Sequence, residues 1–123
     1  MMNYEKGKID ICERTFAHAV AIIESCRTIE KDHATERMLS RQLFRSGTSI
    51  GANVEEAQAG QSRPDFISKV SIARKEARET RYWLMLCKTT GIGAAGDVDR
   101  LLAEVNELIA IITAIIKNAK GIS

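Results

Sequence analysis

Two rows of cations are the residues best placed to do chemistry in this chain. Arg37, Arg41 and Arg45 step by four, and Arg74, Arg78, Arg81 and Lys88 share one helical face further on. Residues 35–90 hold ten basic against six acidic side chains, a local +4, while each flank comes to −1 and the whole chain to a formal +2. Cations in such rows can displace counterions from phosphates, giving binding that is independent of base sequence and sensitive to salt. Tyr82 and Trp83 add rings on which an unpaired base could stack if they are exposed. The same rows also read as solvated helix faces. Lys75 and Glu79 stand four apart, and pairs of that kind contribute only about 0.3–0.5 kcal/mol each. Glu56 with Arg78 or Arg81 is a further candidate, as a polar pair between helices that sets register.

Other chemistries find less support. Glu55, Glu56, Glu76 and Glu79 invite a carboxylate-bridged metal pair, but such sites require a Glu-x-x-His motif on each of two helices. His18 does not follow a glutamate by three, and the single such spacing, Glu30 to His33, lies in the polar stretch that ends the first helical segment. Two histidines leave no basis for a Ser-His-Asp or Cys-His arrangement. Cys12, Cys26 and Cys87 form no CxxC pair, and their odd number argues against a disulfide framework. Reduced, mostly buried thiols in a cytoplasmic protein are expected, with no zinc site. Gly, Ser and Thr crowd residues 46–52, yet no GxxxxGK[ST] motif or preceding strand makes a phosphate loop of them. No enzymatic activity and no cofactor are expected.

The elements that must carry these residues are helical. Hydrophobic residues make up 45% of the 123, aromatics only 5%, and there is one proline, so the core is aliphatic and helices are favoured over a sandwich or barrel. Apolar residues recur at three- and four-residue steps in four segments, at about 8–30, 35–59, 63–89 and 97–119. The predicted stripes run Ile9, Cys12, Phe16, Ala19, Val20, Ile23, Cys26; then Met38, Leu39, Leu43, Ser46, Ile50, Asn53, Val54, Ala57. The third is Phe66, Ile67, Val70, Ala73, Ala77, Leu84, Cys87, and the fourth Val98, Leu101, Leu102, Val105, Ile109, Ile112, Ile116. Ser62 with Asp65 and Pro64 signals the third start, Asp97 the fourth, and Gly60 and Gly91 mark stops. Similar lengths and short connections predict one domain, an all-α antiparallel up-down-up-down four-helix bundle. No signal peptide is evident, and the longest apolar run falls short of the ~20 residues a membrane span needs.

Two departures from a plain bundle stand out. The fourth segment carries a second apolar stripe, Leu108, Ile111 and Ile115, which calls for cover from a second subunit. The chain is therefore expected to self-associate. In the second, Gly47 and Gly51 each cost about 1 kcal/mol relative to alanine inside a helix, so a neighbouring helix or subunit should approach closely on that face.

RQLFRSGTSIGANVEEA (41–57) and KEARETRYWL (75–84), in that order and spacing, resemble the bacterial four helix bundle protein family, also called the 23S ribosomal RNA intervening-sequence protein family. The likeness runs from about Phe16 to Ile116. It implies an antiparallel four-helix bundle, assembly into homopentameric rings with a central channel, and no established catalysis. Some members are encoded inside intervening sequences of ribosomal RNA genes. A related branch, the accessory protein of diversity-generating retroelements, is basic and binds a reverse transcriptase and nucleic acid. Carried to this chain, the resemblance makes RNA or DNA a candidate partner for Arg37, Arg41, Arg45, Arg74, Arg78 and Arg81. The alternative is a ring-forming scaffold for a protein partner, such as a reverse transcriptase, without direct contact to nucleic acid.

Overall fold

A computed structural model describes residues 5–29 and 31–121, with side chains from residue 11 onward. The Ile9 side chain and Glu30, expected to open the first stripe and to end its helix, lie outside that description. Four helices follow one another: α1 (Glu5–Thr28), α2 (Ala34–Gln58), α3 (Arg63–Thr90) and α4 (Ala95–Lys120). At 1.5 Å per residue each is about 36–42 Å long. Close packing joins α1 to α2, α2 to α3, α3 to α4 and α4 back to α1. Among the described residues the diagonal pairs make no such approach, so the four form a square in cross-section, as expected of an antiparallel bundle.

The helix ends follow local chemistry. Ser62 caps α3 by accepting a hydrogen bond from the Asp65 N–H at 3.2 Å, with Pro64 in the first turn. Gly91 closes α3 in the left-handed conformation (φ 77°), where a side chain would be strained. Asp97, expected to cap α4, sits within its first turn instead. The cap is Ala94, because Ala95 and Gly96 already accept helical geometry, and the Asp97 carboxylate turns to Arg100.

The core is aliphatic, centred on Ile22, Leu43, Ile50, Leu84, Leu108 and Ile112. Two stripes differ from expectation. On α1 the buried residues are Ile11, Thr15, His18, Ile22 and Cys26, followed by Ile29 just past its end, whereas Phe16 is 71% exposed and Val20 also faces outward. Thr15 is acceptable inside because its hydroxyl donates to the Ile11 carbonyl at 2.8 Å. The outward stripe is the more hydrophobic of the two, which is why periodicity selects it. On α4, Leu108 is wholly buried within the single chain, correcting its assignment to a subunit interface. It lies one helical turn from both Val105 and Ile112, and so continues the core stripe.

Gly47 and Gly51 face α1. A Cβ on Gly47 would come within 2.8 Å of Ile22 Cγ1, and one on Gly51 within 3.2 Å of the Thr15 carbonyl oxygen. The close approach expected from these glycines is therefore a helix contact inside one chain.

Candidate functional site

The six arginines singled out above divide between structure and solvent. Arg45 crosses from α2 to α3, donating to Glu76 at 3.3 Å and to Glu79. Glu79 also accepts from Trp83 Nε1 at 3.1 Å. Burial alone would raise the Glu79 carboxyl pKa, but the hydrogen bonds from Arg45 and Trp83 outweigh it and hold it low. Directly beneath, the buried hydroxyls of Ser46 and Thr80 hydrogen-bond at 2.9 Å. The residues RS of α2 and EARET of α3 thus form one polar clip between two helices. A polar pairing was expected here between Glu56 and Arg78 or Arg81. Its charges are reversed, with the arginine on α2 and the acids on α3, while Glu56 is exposed.

Arg74 and Arg81 are half-buried and serve the α3–α4 seam. Arg74 Nη1 donates to Thr113 at 3.4 Å and Arg81 Nη1 to Asn106 at 3.3 Å. Arg78 remains exposed, one turn before the exposed Tyr82. Trp83 packs against the core and meets Tyr82 edge-on, with ring centroids 5.2 Å apart. Of the two rings, then, Tyr82 is the one open to solvent.

Arg37 and Arg41 converge with two residues that the rows did not include. Together with Arg27 and Lys31 they line an open cleft of about 540 Å³ where α1 turns into α2. Its apolar wall is Ile23, Cys26 and Phe44, and among the described residues no carboxylate lines it. The cations are partly anchored: Lys31 Nζ donates to the Ile29 carbonyl at 2.8 Å and to that of Cys26, and Arg37 Nη1 to the Lys31 carbonyl at 2.9 Å. Arg27 and Arg41 are exposed. Arg27 was overlooked because it follows an apolar run on α1, and Lys31 because it lies in the connection. Only the turn between α1 and α2 brings them beside Arg37 and Arg41.

Ile111 and Ile115 are half-buried against the core. The larger apolar side chains left in solvent are elsewhere: Phe16 and Val20 on α1, Met38 and Phe44 on α2, Ile72, Tyr82 and Met85 on α3. Cys26 and Cys87 are buried free thiols and Cys12 is half-buried; burial raises the pKa of all three. Among the described residues no three His, Cys, Asp or Glu side chains are grouped to hold a metal, and no helix is long and apolar enough to cross a membrane.

No curated protein matches the chain. A crystal structure of a protein of unknown function from the S23 ribosomal protein family of Bacteroides thetaiotaomicron is similar. It is 36% identical, with a TM-score of 0.79 over 87% of this chain and 98% of that one. The model of the 23S rRNA-intervening sequence protein family matches residues 7–114. With both signature segments inside that span and the bundle they predict in place, the chain belongs to the 23S rRNA-intervening sequence protein family.

Proposed function

We propose that this protein is a non-catalytic, homo-oligomeric bundle that binds RNA through the cation-lined cleft between α1 and α2. The observation that carries the reading is the cleft's composition: Arg27, Lys31, Arg37 and Arg41 around Ile23 and Phe44, with no acid among the described residues that line it. Phosphates would meet the guanidinium groups, and an unstacked base would lie on Phe44, which is 47% exposed. Membership of a family named for intervening sequences of 23S rRNA supports RNA over other polyanions. Of the original arginines, Arg37 and Arg41 are retained for this role. Arg45, Arg74 and Arg81 have structural partners in the bundle, and Arg78 stands apart on α3.

The test is fluorescence anisotropy with a short single-stranded RNA across a salt series. Wild type should bind with an affinity that falls as salt rises, and Arg27→Ala/Arg41→Ala should lower the log–log slope by roughly 0.7 per lost phosphate contact. Arg78→Ala should behave as wild type. No binding at low salt, or an unchanged slope in the double variant, overturns the cleft as the site.

A second reading rests on the exposed apolar side chains. Phe16 and Val20 on α1, and Tyr82 and Met85 on α3, favour a ring-forming scaffold that docks a protein partner without touching nucleic acid. Retained self-association without RNA binding would select it.

A further inference from the structure

The seam between α1 and α4 holds a groove of opposite character to the basic cleft. Among the described residues it is the least extensive of the four helix contacts, and it opens into a trough of about 560 Å³, within the range of small-molecule sites. Ala17 and Ala21 on α1 and Ala103 on α4 leave room where longer side chains would close it. Carboxylates stand on both walls, Glu24 from α1 and Asp97, Glu104 and Glu107 from α4, against Arg100 as the single lining cation. Arg14 spans the seam to Glu104 at 2.9 Å and to Glu107 at 2.6 Å, and Arg100 is held by Asp97. Glu24 makes no ion pair among the described residues, so the trough keeps an excess of negative charge.

His18 forms part of its wall and is only 2% exposed, yet neither ring nitrogen has a hydrogen-bond partner among the described residues. A buried imidazole offers a donor and an acceptor, and leaving both unmet is costly unless something meets them. The groove is thus mostly apolar, negatively charged at its rim, and supplied with one unpaired polar group in its wall.

We propose that the α1–α4 groove binds a small aliphatic polyamine. The methylene chain would lie over Ala17, Ala21 and Ala103, and an ammonium group would pair with Glu24. An amine nitrogen would seat at His18 once that ring turns a nitrogen toward the groove, since solvent reaches neither nitrogen in the unliganded wall. A neutral aliphatic ligand would leave the Glu24 charge unmet, and an anion would face net repulsion.

Calorimetry with spermidine on nucleic-acid-free protein, joined to the NMR signal of the His18 ring proton, tests this. Saturable binding is expected, with a shift of that signal on titration and about a tenfold loss of affinity in Glu24→Gln. Glu24 is exposed, so that variant should fold normally. Arg27→Ala/Arg41→Ala should bind spermidine as wild type does, which separates this site from the RNA cleft. Three outcomes overturn it: no saturable binding at about millimolar spermidine, equal affinity in Glu24→Gln, or a His18 signal that ignores the ligand. Binding of 1-pentanol as tight as that of spermidine overturns it as well, because the groove would then read only apolar surface.

Discussion

His18 sits where a leucine would be easier to explain. Burial pushes its pKa down from 6.5 to about 4, only partly opposed by the neighbouring Glu104 carboxylate. The unfolded chain therefore takes up a proton at a higher pH than the folded one. Stability is full above about pH 6.5, falls as the pH drops from there to about 4, and loses nothing further to this group below that. The span corresponds to about 3 kcal/mol as an order of magnitude. Denaturant unfolding of wild type and His18→Leu across this range should show the variant with a flatter profile and no loss of stability at neutral pH. Gly47 makes the opposite kind of demand. Alanine there gains about 1 kcal/mol of helix propensity but drives a methyl into the Cγ atoms of Ile22, a branched side chain with little rotamer freedom. Gly47→Ala should destabilise by about 1–2 kcal/mol by thermal or denaturant melting, and trimming Ile22 to Ala should make the added methyl far less harmful. The glycine's need was legible from its spacing with Gly51. The histidine's burial was not, because no apolar pattern marks it.

The α2–α3 clip explains why these two helices carry such polar signatures. Thr80 and Ser46 satisfy each other in a fully buried position, and Arg45 joins Glu76 and Glu79 just outside it. Thr80 also donates to the Glu76 carbonyl of its own helix at 2.8 Å. Sliding one helix by a turn would therefore strip the Ser46 hydroxyl and the Glu76 carboxylate of their cross-helix partners, and the clip fixes register more than it adds net stability. In a double-mutant cycle, Thr80→Val and Ser46→Ala should each cost about 1–2 kcal/mol. The double variant should cost less than their sum by about 1 kcal/mol, as urea midpoints would reveal. Sequence periodicity placed all four helices within about three residues of their observed ends, because length, caps and glycine stops act locally. It misplaced the inward face of α1 for a physical reason. Hydrophobicity ranks Phe16, Val20 and Ile23 above Thr15 and His18, while burial depends on which face the neighbouring helices cover. The candidate site was half legible for a related reason. Arg37 and Arg41 stand out within one helix, but their association with Arg27 and Lys31 exists only after the chain turns between α1 and α2.

At the scale of the molecule, the misplaced stripe carries information. α1 and α3 occupy diagonal corners of the square, and each presents apolar side chains outward: Phe16 and Val20 on one, Ile72, Tyr82 and Met85 on the other. Two unlike patches facing different directions suit head-to-tail association, in which the α1 face of one copy meets the α3 face of the next, and repetition closes a ring if the rotation allows. The proposed assembly thus shifts from Leu108, Ile111 and Ile115 on α4 to the outer faces of α1 and α3. Phe16→Glu discriminates between these faces. Phe16 is largely in solvent within one chain, so the substitution should change that chain's own stability by no more than about 0.5 kcal/mol. It should nevertheless place a charge in the middle of the contact and reduce the mass measured by light scattering to that of one chain, 13.6 kDa, with helicity by circular dichroism unchanged. Met85→Glu on the opposite face should do the same. Mixing the two variants should not restore extended assembly, because any pair formed through the intact faces has no undamaged face left to continue. Ile111→Glu, on a side chain packed against the core, should lower stability without altering the mass of the folded protein. A wild type that already scatters as one chain, or a Phe16→Glu that keeps the wild-type oligomer, would leave the α1 stripe without the partner that its hydrophobicity demands.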